Sequence, residues 1–169
     1  LNVTAPANSD DAKLLDDMLT VPFRMKPGQD ASCLNLYQSS LPTVLGASDR
    51  MIDLGGFAFA DTPGENPWTL LTKPLPDEEG VPVYPVMGDM NTLMYSLHKG
   101  IGTTINVPGD DAPEYKLRVV GMYGGSIFQG VLVMSEPNFR SLYPEIDGYR
   151  YFLVGGRSRD GSTIPTEKQ

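Results

Sequence analysis

One histidine, one cysteine and a scatter of carboxylates are what this 169-residue chain offers to catalysis. A hydrolytic triad needs a general base, and His98 is the only histidine; no Gly-x-Ser-x-Gly elbow accompanies it, because the glycines around Ser126 fall at other spacings. With Lys99 and Gly100 behind it, His98 reads as the basic end of a short helix. Cys33 has no histidine near it in sequence and no second cysteine to pair with, so it reads as a buried, inert thiol. One His and one Cys cannot build a zinc site without carboxylates, and no calcium-loop spacing occurs; Asp110-Asp111 and Asp77-Glu78-Glu79 read as solvated loop charges. The segment 98–104, HKGIGTT, holds the residue types of a phosphate loop in the wrong order, following a helix and opening into a strand. Carboxylate pairs assembled from distant positions remain conceivable among 21 acidic residues, yet spacing selects none. These residue types point away from an enzyme and imply no metal or cofactor.

The composition narrows the partners. Thirteen basic residues against 21 acidic give a net charge of −8, which argues against nucleic acid and against attraction to an anionic lipid surface. Apolar content of 40 %, with 18 glycines and 15 prolines, suits one loop-rich α+β domain. No apolar run reaches the roughly 18 residues of a membrane span. The chain opens on Leu1 without a signal-peptide pattern, which reads as a processed chain or a piece of something larger.

The elements that would position any site follow from periodicity and breakers. Residues 91–122 form the organising unit: a short helix capped by Asn91 with Leu93, Met94, Leu97 and His98 at helical spacing, a break at Gly100, a strand over 103–107, a polar turn, and a second strand over 116–122. Ahead of it, 9–20 reads as an acidic helix with Leu14, Leu15, Met18 and Leu19 on one face, either solvated or a contact for a basic partner. A strand over 20–25 contains Pro22, which would confine it to an edge or a strand start. Segment 31–37 is open between strand and helical turn. A short apolar piece opens at Pro42, and 55–60 alternates large and small residues like a strand. Residues 61–85 carry six prolines and the acidic Asp77-Glu78-Glu79, and read as a long surface excursion pinned to the core by Trp68. After the unit come a strand over 131–134, a helix with Ser135 at its N-cap and Phe139 and Leu142 on its buried face, and a strand over 149–154. That β-α-β succession reads as strands packed under a helix. The organisation is one domain over 1–154, in which 61–85 is the excursion or part of a small lobe, with 155–169 a polar tail or cut linker.

Several stretches then resemble a known family. The runs YSLHKGIGTTINV (95–107) and KLRVVGM (116–122), followed by SIFQGVLVMSEPNFRSLYPEIDGYRYFLV (126–154), resemble the extracytoplasmic domains of MacB/FtsX/LolCE-like permeases of ABC transporters. The first half, FRMKPGQDASCLNLYQSSLPTVLGASDRMIDLGGFAFA (23–60), together with Asn66-Pro67-Trp68, resembles a subgroup of large FtsX-like permeases. The chain departs from whole members of that family in carrying no membrane span, which fits a domain cut from between two spans. The resemblance implies an α+β, MacB-periplasmic-like fold of β-α-β units with a second small α/β lobe. It implies a non-catalytic role outside the cytoplasm at the cell membrane, relaying ATP hydrolysis by conformational change. The partners it implies are the transmembrane helices of the same full-length chain, a cytoplasmic ATPase domain or subunit, and another permease copy, an adaptor or a lipoprotein. For partner contact the sequence offers the excursion, with Trp68, Asp77, Glu78 and Glu79. Two other readings are a ligand-binding or sensor module of the cell envelope, motivated by Trp68, Tyr84, Tyr95 and Tyr123 as exposed aromatics, and a hydrolase using paired carboxylates.

Overall fold

A computed structural model describes residues 18–28, 41–60, 62, 64–108 and 113–156. The expected acidic helix over 9–20 falls largely outside these residues, as do segment 31–37, Cys33 and Asp110-Asp111. The fold is α+β: a mixed sheet of eight strands with short helical pieces on both faces. The strands are β1 (Met18–Lys26), β2 (Thr43–Ala47), β3 (Phe59–Ala60), β4 (Val83–Asp89), β5 (Thr104–Val107), β6 (Tyr115–Tyr123), β7 (Val131–Ser135) and β8 (Tyr151–Gly156). Their order across the sheet is β3-β6-β4-β7-β2-β1-β8, with β5 also paired to β6. Two helices, α1 (Asp49–Leu54) and α2 (Glu136–Leu142), a 3₁₀ turn (Pro67–Thr72) and a wide π-helical turn (Asn91–Ser96) complete it.

Alternation along the central strands divides the core into two layers. On the first face Leu45, Met87, Val133, Val21 and Phe23 pack with Met51 and Ile52 of α1 and with Trp68, Leu71, Tyr123 and Phe128. On the second face Val44, Val86, Leu117, Val119, Leu132 and Met134 pack with Leu93 of the π turn and with Phe139 and Tyr143 around α2. A strand buried on both sides has no polar face to show, which is why 131–134 reads as an unbroken apolar run. Two glycines let helices approach: a Cβ on Gly46 would lie 2.9 Å from Phe139, and one on Gly88 would lie 3.1 Å from Leu93 and from Leu132.

Local corrections have physical causes. The expected strand over 55–60 shrinks to Phe59 and Ala60, because Gly55, Gly56 and Phe57 all take positive φ (65°, 81° and 67°) and turn the chain. Asn91 is not the cap of its helix: Asp89 accepts from the Asn91 and Thr92 N–H groups in that role, at 3.0 and 3.1 Å. The turn closes before Gly100, with Leu97 N–H donating to Thr92 and Lys99 N–H to Leu93, and His98 takes the left-handed position (φ 53°) expected of glycine. Of the four residues at helical spacing, Leu93 is buried and Leu97 half-buried, whereas Met94 and His98 face solvent. Met18 and Leu19 extend β1 rather than a helix, and β8 runs on through Gly155 and Gly156 past the expected end at 154. β1 is interior, not an edge, yet Pro22 is tolerated: β2 pairs only with Phe23 through Lys26, leaving Pro22 in the half that has, among the described residues, β8 alone beside it. Finally, β7 and β8 run the same way around α2 but are not neighbours, since β2 and β1 lie between them.

Candidate functional site

The residues singled out from sequence are not gathered at one place. Trp68 is fully buried, not exposed, and so cannot itself meet a partner. Asn66 builds its position, accepting from Trp68 N–H at 3.2 Å and donating from its amide to Ile52 C=O at 2.8 Å. The indole N–H donates to Gly56 C=O at 3.0 Å, and Phe57, Phe59, Tyr123 and Phe128 pack around the ring at centroid distances of 5.4–6.1 Å. Trp68 therefore anchors the excursion, as expected, by closing an aromatic cluster on the first face. Tyr123 is a second buried member of it; its hydroxyl has no partner among the described residues, and burial raises its pKa well above the usual tyrosine value. Tyr84 is half-buried, and of the four aromatics only Tyr95 stands out, 73 % exposed.

The acidic triplet divides. Asp77 is exposed. Glu78 pairs with Arg118 and, at 3.6 Å, with Lys116; Glu79 reaches Lys116 at 3.5 Å while remaining open to solvent. Lys116 and Arg118 lie on one side of β6, and Thr104 of β5 accepts from Arg118 on the same side. The turn before β4 is thus tied to β6 by a small ion network. Its charges are largely matched, so within this turn Asp77 and the outer part of Glu79 are what stays open to a cationic partner.

At the opposite end of the sheet a buried polar knot joins two loops. Asp89 closes β4; besides the two turn N–H groups, its carboxylate accepts from the Thr92 hydroxyl and from Gly130 N–H at 3.1 Å. Gly130 N–H is shared with Thr92 Oγ1 at 2.9 Å. Every contact is internal and Asp89 and Thr92 are buried, so the knot holds the π turn against the 124–130 loop rather than presenting a carboxylate for chemistry. Met90, Met94 and Tyr95 on the turn, and Ile127 on the loop, remain exposed beside it. Of these, Tyr95 is expected from the sequence to be exposed; Met94 is missed because helical spacing groups it with Leu93 and Leu97, and a π turn rotates it away. Scattered apolar residues are ordinary; four on two loops tied together form a candidate contact surface.

A third arrangement fastens α2 to β1. Arg24 donates from Nε to Glu136 at 2.8 Å and from Nη1 to Ile146 C=O at 2.9 Å, and lies 5.3 Å from the Tyr149 ring centre. Nearby, the Tyr115 and Tyr143 hydroxyls are 2.6 Å apart and Lys26 lies over the Tyr143 ring. Burial pushes both phenols up from the usual tyrosine value, and the shared hydrogen bond pushes Tyr143 further. Among the described residues no group of three or more His, Cys, Asp or Glu gathers to hold a metal, and no helix is long and apolar enough to cross a membrane.

The two ends of the described fold lie side by side. Met18 at the start of β1 is the register partner of Gly156 at the end of β8, with five further pairs down to Phe23 and Tyr151. Comparison with known proteins adds no identity: no family model matches the chain, and no curated protein matches it in sequence.

Proposed function

We propose that the chain is a non-catalytic extracytoplasmic domain of a MacB/FtsX-like ABC-transporter permease, coupling cytoplasmic ATP hydrolysis to export or to partners outside the cytoplasm. The finer fold expectation, MacB-like β-α-β units with a small second lobe, is part of that proposal. The observation that carries it is the pairing of Met18 with Gly156. A domain inserted between two membrane helices must return the chain to where it left, and adjacent antiparallel terminal strands do so with no connecting distance to cover. Support also comes from the character of the polar groups. The buried ones fasten loops to the sheet, as a stiff body relaying motion between two states requires. The exposed Met90, Met94, Tyr95 and Ile127 lie at the end of the sheet opposite to the chain ends, where a body standing on a membrane would meet an adaptor, a lipoprotein or a second permease copy.

The test is topology in the full reading frame. A membrane span is expected on each side of residues 1–169. In a Cys33→Ser background, Glu79→Cys, at a side chain 89 % exposed, should react with a membrane-impermeant maleimide in intact cells whose outer layers are permeable to it. Labelling only after lysis, or a reading frame without flanking spans, would overturn the proposal.

A further inference from the structure

We infer that β8 and the first half of β1 form a zipper that opens as a unit separate from the rest of the sheet, and that Arg24 sets where the opening stops. β1 changes neighbours along its length. From Phe23 to Lys26 it pairs with β2; from Met18 to Pro22 its neighbour among the described residues is β8 alone. The six-residue β8 is likewise held by β1, so the two make a two-stranded ribbon, the smallest and weakest form of a sheet.

Its faces are unequal. Leu19, Val21, Tyr151 and Leu153 pack on the larger core, whereas Phe152 and Val154 on the other face are 55 % and 50 % exposed, beside exposed Thr20. Among the described residues nothing on that outer face locks the ribbon by packing. Because antiparallel hydrogen bonds run across the strands, drawing the two ends apart strains the Met18–Gly156 pair first and then the next, one pair at a time. The inner boundary differs. Arg150 N–H donates to Phe23 C=O at 3.1 Å, and Arg24 grips Glu136, Ile146 and the Tyr149 ring together. Opening beyond Phe23–Tyr151 would have to break all of these at once, together with the pairing to β2. The ribbon thus has low local stability up to a defined stop, the arrangement of an independently opening unit.

Hydrogen–deuterium exchange of the intact chain tests this, independently of the permease reading, since it needs neither membrane nor partner. Amides of 18–22 and 151–156 should exchange about a hundredfold or more faster than those of β4 and β7. Thr20 and Val154 are register partners; in a Cys33→Ser background, an oxidised Thr20→Cys/Val154→Cys cross-link should slow the ribbon to within about tenfold of the core, and reduction should reverse it. Arg24→Met should spread fast exchange to 23–26 and 146–150 while β4 and β7 keep their rates. Ribbon amides as slow as the core without the cross-link, or an Arg24→Met variant that speeds the whole sheet alike, would overturn the inference.

Discussion

The two ends of the sheet are fastened by the same residue types in opposite settings. At one end the Asp89 carboxylate is buried and takes four hydrogen bonds from the π turn and the 124–130 loop. At the other, Glu78 and Glu79 meet Lys116 and Arg118 where water reaches the pairs. Burial decides the difference. A buried carboxylate removed from its donors leaves N–H groups that water cannot satisfy, whereas exposed ions exchange partners with solvent at little cost. The contrast also bears on function: a buried knot fixes two loops as one surface, while an exposed network can loosen and re-form.

The comparison breaks if Asp89→Ala is mild. That substitution should cost about 3 kcal/mol, because Thr92 loses the acceptor of its N–H and hydroxyl within a buried site, Asn91 N–H loses its own at the partly buried edge, and Gly130 keeps only Thr92. Urea unfolding should register it as a lower midpoint with an unchanged slope. Asp89→Asn, which retains one acceptor oxygen, should cost less than half as much. Equal losses for the two variants would show that the charge and the second acceptor oxygen, which Asn also lacks, fasten this end rather than the shape or the single retained oxygen.

High pH tests the buried layer that runs between the ends. Tyr115 and Tyr143 on the second face and Tyr123 on the first all hold their protons more tightly in the folded chain than at the usual value of 10.0. The stability this represents is fully present below about pH 10. It is lost as pH rises through the folded values, because there the unfolded chain ionises first. Each group should then take away up to about 1.4 kcal/mol per pH unit, and Tyr123→Phe or Tyr143→Phe should flatten the fall by one group's share. Denaturation midpoints measured from pH 9 to 11.5 would read this. A flat profile would mean that these phenols ionise in place.

Much of the fold was legible because apolar alternation and Pro–Gly punctuation are local. The strands over 103–107, 116–122 and 131–134, the capping position of Ser135 and the anchoring of the excursion by Trp68 all came from neighbours in sequence. What was not legible depends on residues far apart. Asp89 gains its role from Gly130, 41 positions away, and Glu78 loses its freedom to Arg118. Backbone exceptions hid the rest: a phenylalanine and a histidine with positive φ, and a π turn that carries Met94 outward, defeat any rule based on 3.6-residue periodicity. The acidic turn expected to meet a partner and the exposed apolar residues lie at opposite ends of the sheet. Tyr95 is legible in the sequence as an exposed aromatic, whereas Met94 is not legible as a surface residue until the turn is known.

The smallest effect expected is also the sharpest test of the contrast. Glu78→Ala removes the partner shared by Lys116 and Arg118 in the polar end. With its side chain about a third exposed, as is that of Arg118, the loss should stay at or below about 1 kcal/mol and shrink further in 0.5 M salt. Arg118 keeps Thr104 as a neighbour and gains water, and Lys116 keeps Glu79. Asp89→Ala should lose the same stability at either salt concentration, since its partners are backbone N–H groups and a hydroxyl rather than ions. Measuring both variants at low and high salt separates screening from burial. If Glu78→Ala proved as costly as Asp89→Ala and equally indifferent to salt, the turn before β4 would be fastened as rigidly as the π turn. The polar end could then no longer be regarded as the one that yields.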